Sequence, residues 1–181
     1  MQAPRVLSVL SLVAIAACAT AGNSGGPMPL NNSIVGVSAV GRRALVGVWR
    51  VVQFCNIDSA GTETNPLGTT PAGVFVYTPT GQLSLHAMRT PAVPPFVAGD
   101  NAPTDAERRA LFDGYFGYFG MYTITSDSTV IHHVTGGSIP SYIGTDQHRH
   151  YRIRAGGSNA PDTLSIGSYP APPCRKLIRV G

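Results

Sequence analysis

The sequence predicts an all-β domain that folds as an eight-stranded up-and-down barrel with one short helix. The 181 residues include 21 Gly and 15 Pro, which is too many for a helical bundle, while a hydrophobic content of 43% is too high for a disordered chain. Beyond residue 43, short β-type runs alternate with turn residues, and most consecutive runs are close enough to form hairpins. Eight such strands leave two exposed edges unless the sheet closes, and closure gives a barrel able to hold one small ligand.

The first 40 residues lie outside this predicted domain. Residues 1–17 are typical of a signal peptide, because Arg5 precedes a largely apolar run over 6–17 that is too short to span a bilayer. Residues 18–40 contain a stretch rich in Gly, Asn and Ser and have no periodic apolar face, which is typical of a flexible tether. We therefore expect an export signal, a tether and a barrel domain over 41–181.

The residues at the end of the apolar run determine whether the exported protein is anchored to the membrane or released. Ile15-Ala16-Ala17-Cys18 resembles a bacterial lipobox, in which small residues precede the cysteine that is lipidated. This predicts a cell-envelope lipoprotein on the periplasmic side of the outer membrane, attached to the membrane through a lipid anchor at Cys18. The sequence Ala19-Thr20-Ala21 is an alternative cleavage site that would release a secreted or periplasmic protein instead, so both outcomes remain open.

The strands are assigned from alternating apolar runs bounded by turn residues. Pro79-Thr80-Gly81 predicts a tight hairpin between the second and third strands, and Ser126-Asp127 predicts another between the fourth and fifth. The glycine-rich stretch 155–159 predicts a looser connection between the sixth and seventh. We expect strands at about 44–55, 72–78, 81–88, 115–125, 128–135, 146–155, 162–168 and 174–180.

One helix is predicted between the third and fourth strands. Thr104 and Glu107 form a capping box, in which each side chain can bond the backbone N–H of the other residue. The helix should end before Gly114, after two to three turns.

Several segments together resemble the bacterial and fungal lipocalin-like domain family. The resemblance covers the whole predicted domain in order, and the sequence departs from the family pattern at Ser141-Tyr142 and at Ile178. It implies a lipocalin-like barrel that binds a small hydrophobic molecule, and some relatives act as isomerases or cyclases. The matching segments are LVGVWR (45–50), GVFVYTPTG (73–81), TDAER (104–108), YFGMY (118–122), HHV (132–134), PSYIGT (140–145) and LIRV (177–180).

The resemblance also implies how the barrel closes. In a lipocalin-type barrel the Trp of the G-x-W motif, here Trp49, plugs one end, and an Arg from the last strand lies over the indole ring. Arg179 is the candidate for that position, with Arg175 as the second choice. We expect Trp49 and Arg179 to be structural rather than catalytic.

A disulfide between Cys55 and Cys174 is predicted for the same seam. When the first and last strands pair antiparallel, the residue numbers of paired residues add to a constant. The sum for Cys55 and Cys174 differs by only one from the sum for Trp49 and Arg179, so the two cysteines should lie close together. An exported protein is also where two cysteines pair. Trp49 and Cys55 are separated by an even number of positions and so face the same side of the first strand, whereas Arg179 and Cys174 are separated by an odd number. A bulge or a strand end must therefore lie between the two pairs.

We expect the ligand to contact one set of polar and aromatic side chains inside the barrel. A histidine beside an arginine and a tyrosine suits a ligand that carries a carboxylate, enol or carbonyl group. His133, Tyr122 and Arg149 would also be the catalytic set if the protein is a cofactor-independent isomerase or cyclase. The alternative is a buried polar network that stiffens the barrel. The predicted ligand-binding residues are Tyr77, Tyr118, Tyr122, His133 and Arg149.

Other function classes have little support in the sequence. The net charge of +4 comes from scattered arginines rather than a basic stripe, so no nucleic-acid partner is expected. His148 and His150 form an H-x-H pair without a clear third ligand, so neither a metal nor a cofactor is predicted. Phosphate loops, nucleophile elbows and paired catalytic carboxylates are absent. A fully packed barrel that contacts another protein remains an alternative, and the sequence leaves the oligomeric state open.

Overall fold

The computed structural model of the protein describes residues 44–168, 171 and 173–180. The predicted signal peptide, the predicted lipid attachment site at Cys18 and the predicted tether over 18–40 lie outside the described residues. Within the described part of the chain, no helix combines the length and the apolar character that crossing a bilayer requires.

Strands are the main regular structure of the described chain, and a short α-helix lies between the third and fourth predicted strands, as predicted. Each barrel strand ends within a few residues of its expected bounds. The elements are β1 (Gly47–Gln53), β2 (Asn56–Ile57), β3 (Glu63–Thr64), β4 (Ala72–Tyr77), β5 (Gln82–Met88), α1 (Asp105–Asp113), β6 (Tyr115–Ser126), β7 (Thr129–Gly137), a 3-10 turn (Pro140–Tyr142), β8 (Asp146–Arg154), β9 (Thr163–Ser168) and β10 (Arg175–Val180).

Eight of these strands form one closed antiparallel barrel, in the order β1-β10-β9-β8-β7-β6-β5-β4. Each barrel strand pairs with the barrel strand that precedes it and the one that follows it along the chain. The first barrel strand, β1, pairs with β4 and also with the last strand, β10. The predicted up-and-down topology is therefore confirmed. Closure pairs each of these eight strands on both sides, so the barrel itself has no exposed sheet edge.

Strands β2 and β3 form a separate two-stranded ribbon that the sequence did not predict. The turn between them is held by Asp58, whose Oδ1 accepts hydrogen bonds from the backbone N–H groups of Ala60 and Thr62. Each strand has only two residues, so no alternation of apolar and polar residues is long enough to reveal it.

Helix α1 follows from local sequence signals. Thr104 is the N-cap, its side chain accepts from the backbone N–H of Glu107, and the Glu107 carboxylate accepts from the backbone N–H of Thr104. These bonds satisfy N–H groups that the first turn of a helix leaves without partners. The helix connects β5 to β6 and so lies at one end of the barrel.

One end of the barrel, here called the plugged end, is closed by Trp49. The indole is completely buried, and its Nε1–H donates to the backbone oxygen of Leu45 at 2.9 Å. Arg179 lies over the indole with its guanidinium carbon 4.1 Å from the ring centroid. The Arg179 Nε–H donates to Asp162 at 2.9 Å and Nη1 donates to the oxygen of Val46 at 2.7 Å. The structure therefore places Arg179, rather than Arg175, against Trp49.

The opposite end, here called the disulfide end, carries the Cys55–Cys174 bridge, with 5.7 Å between the two Cα atoms. The predicted disulfide is thus present. Along the seam Trp49 pairs with Arg179, and the register of β1 against β10 shifts between Val51 and Gln53. This irregularity supplies the bulge that the parity of the cysteines required.

Candidate functional site

A buried histidine, His132 on β7, forms the polar centre of the barrel. It has no exposed surface, and both ring nitrogens have tyrosine partners. The Tyr118 hydroxyl lies 2.7 Å from Nδ1 and the Tyr77 hydroxyl lies 3.1 Å from Nε2. A neutral imidazole has one N–H and one acceptor nitrogen, so the ring donates to one hydroxyl and accepts from the other.

Burial keeps this centre uncharged near neutral pH. It lowers the pKa of His132 well below its ordinary value, and the positive charge of Arg149 lowers this pKa further. Burial also raises the pKa of both Tyr77 and Tyr118, so their hydroxyls stay protonated. The three side chains therefore form a neutral hydrogen-bonded unit that is able to donate and to accept protons.

The lowered pKa of His132 predicts a specific pH dependence of stability. The unfolded chain binds a proton as the pH falls through the ordinary histidine pKa of 6.5, whereas the folded protein does not until a much lower pH. His132 should therefore stabilise the fold fully above that value. Its contribution should decline below it by up to about 1.4 kcal/mol per pH unit.

Urea unfolding between about pH 5 and 7 tests this prediction. His132→Gln should remove most of the pH dependence, whereas His148→Gln, which removes an exposed imidazole on β8, should retain it. An unchanged slope in His132→Gln would assign the effect to other groups.

Two arginines approach the centre from the disulfide end. Arg149 on β8 is almost fully buried, and its guanidinium donates to the backbone oxygen of His148 at 3.0 Å and to Gln147 at 3.1 Å. Arg175 on β10 donates from Nη2 to Asn56 at 2.7 Å, while its buried Nε–H has no hydrogen-bond partner among the described residues. All of these acceptors are neutral, so the barrel interior has an uncompensated positive charge.

Aromatic rings cover these arginines at the disulfide end. The guanidinium of Arg175 lies 4.6 Å from the ring centroid of Phe54 and 5.8 Å from that of Phe116. Arg149 lies 5.7 Å from the centroid of Tyr142, in the 3-10 turn. Phe54 and Arg175 each adjoin a cysteine of the bridge in sequence, so the disulfide holds this cover in position.

The space left inside the barrel is small in this conformation. An internal cavity of about 10 Å³ remains, which is roughly the room that one water molecule needs. Its apolar walls are Phe75, Leu85, Ile166 and Phe116, and its polar walls are Tyr118, His132, Arg149 and Arg175. A larger molecule can enter only if side chains at the disulfide end move.

His133 does not take the position that the sequence suggested. It lies on the outer face of the barrel, where Nδ1 is 2.6 Å from Asp146 and Nε2 is 3.0 Å from the Thr123 hydroxyl. The expectation that His133 faces the cavity is therefore wrong, and its neighbour His132 lies inside instead. Side chains alternate along a strand, so only one of two adjacent histidines can point inward.

The proposed catalytic set is also separated in the structure. The Tyr122 hydroxyl donates to the backbone oxygen of Thr78 at 2.7 Å, near the plugged end. Arg149 lies toward the disulfide end, and His133 is outside. His133, Tyr122 and Arg149 therefore do not form one site. Among the predicted ligand-binding residues, the structure brings Tyr77, Tyr118 and Arg149 together around His132.

Sequence reasoning missed His132 and Arg175 as site residues. Alternate positions of β7 form two sets that face opposite sides of the strand. The set of Val130, His132 and Val134 is more apolar than the set of Ile131, His133 and Thr135. This difference was a signal that the first set, with His132, faces inward. No comparable signal marks Arg175, because its role depends on which acidic residues lie near it in space.

No cluster in the described part of the chain suggests a metal site, since no three His, Cys, Asp or Glu residues there are arranged to hold an ion. His148 is exposed on β8.

The comparison with protein families agrees with the barrel fold. The model of the lipocalin-like domain matches residues 46–169, which include every strand of the barrel except the last, β10. The chain belongs to the lipocalin-like domain family. No curated protein matches it. A lipocalin-like barrel is suited to binding a small molecule.

Proposed function

We propose that this lipocalin-like protein binds a small, largely apolar molecule inside the barrel, through the disulfide end. The observation that carries the proposal is the pair of arginines beside the Tyr77–His132–Tyr118 unit, in which the buried Nε–H of Arg175 lacks a partner. Buried polar groups in proteins are nearly always hydrogen-bonded, so this N–H needs an acceptor that the described residues do not supply. The apolar walls around them would contact the remainder of the ligand.

Entry of the ligand requires movement of the aromatic cover. Phe116 and Arg175 are only partly buried, whereas the plugged end is filled by Trp49, Leu45 and the backbone bonds of Arg179. Outward rotation of Phe116 and Arg175 would join the small cavity to solvent. The closed interior seen here is then the conformation without ligand.

The neutral His132 between two hydroxyls favours a second candidate function. A base of this kind could move a proton on a bound carbonyl or enol compound, as an isomerase or cyclase requires. In this proposal the proton-transferring groups are His132 and Tyr118, in place of the outward-facing His133. Turnover lost with affinity retained in His132→Gln would favour the enzyme.

We also propose that the protein is exported and held in the cell envelope by a lipid on Cys18. The support is the sequence around the cysteine together with the disulfide, since disulfides persist in oxidising compartments. Release by cleavage after Ala21 is the alternative.

Native mass spectrometry of the protein purified from its own host tests both proposals. We expect a co-purifying molecule of low mass and a chain that begins at acylated Cys18. A chain that begins at Gly22 without acylation would contradict the anchor.

Binding of the neutral fluorophore N-phenyl-1-naphthylamine provides a measurement that needs no natural ligand. Phe116→Ala should change its affinity by opening the cover, whereas Val74→Ala, on the outer face, should not. Val74 lines a groove of about 470 Å³ outside the barrel, so this control separates internal from external binding. An absence of both a bound molecule and Phe116-dependent binding would favour a structural interior and a protein partner.

A further inference from the structure

We propose that the ligand carries one carboxylate, which lies between the guanidinium groups of Arg149 and Arg175. Its apolar remainder would contact Phe75, Leu85 and Ile166. This inference rests on the proposed binding of a small molecule in the barrel, and it adds the chemical class of that molecule.

The distribution of charge is the first argument. Arg149 and Arg175 line the same cavity, yet neither forms an ion pair among the described residues. All nine acidic side chains of the sequence lie in the described part of the chain, and none of them is buried. The three ion pairs found there use Arg108, His133 and Arg179. The barrel interior therefore holds two cations with no anion to balance them.

The second argument is the energetic state of the two arginines. Burial lowers the pKa of Arg175, and repulsion by the charge of Arg149 lowers it further. A buried charge is costly unless an opposite charge and hydrogen bonds compensate it. An anion placed between the two groups would remove the repulsion and supply an acceptor for the unpartnered Nε–H of Arg175.

The geometry of the donors favours a carboxylate over a larger anion. A guanidinium is a planar fork of N–H groups that pairs with the two oxygens of a carboxylate. The cavity that both arginines line is only about 10 Å³, so a small, flat head group needs the least displacement of side chains. The amide oxygens of Gln147 and Asn56, which now accept from the two arginines, are neutral and can be exchanged for a charged acceptor.

The test compares sodium octanoate with 1-octanol, which has the same chain length and no charge. Both are titrated against the full-length protein containing N-phenyl-1-naphthylamine, and displacement of the fluorophore gives each affinity. We expect octanoate to bind at least about 10-fold more tightly than octanol, which corresponds to about 1.4 kcal/mol, because only octanoate can pair its charge with the two arginines. Octanoate should also raise the melting temperature more than octanol does.

Substitution of each arginine assigns the effect to these residues. Arg149→Gln and Arg175→Gln should each bring the octanoate affinity toward the octanol affinity measured on the same variant. Arg152→Gln is the matched control, since Arg152 lies on β8 like Arg149 but is exposed. Arg175→Lys keeps the charge without the planar fork and should give an intermediate affinity. If the Gln variants do not fold, the comparison of the two ligands on the wild-type protein still decides the question.

The outcomes separate this inference from the proposed function. Equal affinities for octanoate and octanol, or an octanoate preference that survives both Gln substitutions, overturn the carboxylate while small-molecule binding stands. Failure of the fluorophore, octanoate and octanol to bind overturns both.

Discussion

Replacing both bridge cysteines, as Cys55→Ser with Cys174→Ser, is expected to lower the free energy of unfolding by up to about 5 kcal/mol. The bridge joins residues 119 apart in the sequence, and a cross-link that closes so long a loop removes much of the entropy of the unfolded chain. Domains are typically stable by only about 5–15 kcal/mol, so the barrel without its bridge should be marginally stable.

Urea unfolding of the oxidised wild type, the reduced wild type and the double Ser variant measures this effect. The reduced wild type is the control, because it loses the bridge without a change of sequence and should match the variant. Equal midpoints for all three proteins would contradict the prediction. Two reactive thiols in denatured, non-reduced protein would show that the domain cysteines are not bonded.

Loss of the bridge should also affect the proposed ligand site. Phe54 and Arg175 are sequence neighbours of Cys55 and Cys174, and their contact covers the disulfide end of the barrel. Reduction would remove the covalent link between the segments that carry Phe54 and Arg175. We therefore expect fluorophore binding to change on reduction even under conditions in which the barrel stays folded.

Trp49→Ala is expected to destabilise the protein by about 3–5 kcal/mol. The ring is wholly buried at the plugged end, so its removal leaves a cavity. The substitution also removes the hydrogen bond to Leu45 and the ring under the Arg179 guanidinium. Arg179 keeps its bonds to Asp162 and Val46, so the seam should remain paired while the end of the barrel loosens.

This loss is best measured by circular dichroism, since Trp49 is the only tryptophan of the sequence and its fluorescence disappears with the substitution. Trp49→Phe keeps an aromatic ring and should lose less stability than Trp49→Ala. Val97→Ala changes a side chain that is 96% exposed, and its stability should stay within about 0.5 kcal/mol of wild type. A Trp49→Ala variant as stable as the Val97→Ala control would exclude the indole as the plug.

Much of the fold could be predicted because its signals are local. Turn residues, alternating strands and the Thr104 capping box each depend on a few neighbouring positions, and the structure has the eight strands and the helix near their expected places. The seam was also predictable, because the family resemblance implied that Arg179 lies over Trp49, and antiparallel pairing then places Cys55 close to Cys174. The β2–β3 ribbon was not, since two-residue strands have no period.

The inward histidine could not be predicted with the same ease. A hairpin centred on Ser126 and Asp127 would place His133 on the same face as Tyr122. The structure has a register shift near this turn, between Ile124 and Ser126, and Tyr122 pairs with His132. A shift of one residue exchanges the two faces of a strand, so a small irregularity at the hairpin decides which imidazole is buried.

The sequence by itself determined the barrel and its strand order, because these follow from short-range patterns and from the need to pair every strand edge, while the family resemblance implied the plug and, through the seam, the bridge. Only the tertiary structure decided that His132 is the buried histidine and that Arg149 and Arg175 lie together without an acidic partner. The tertiary structure also decided how small the cavity lined by both arginines is. These properties depend on the register of the strands and on which charges from distant parts of the chain lie close together. No single segment of the sequence determines either of them.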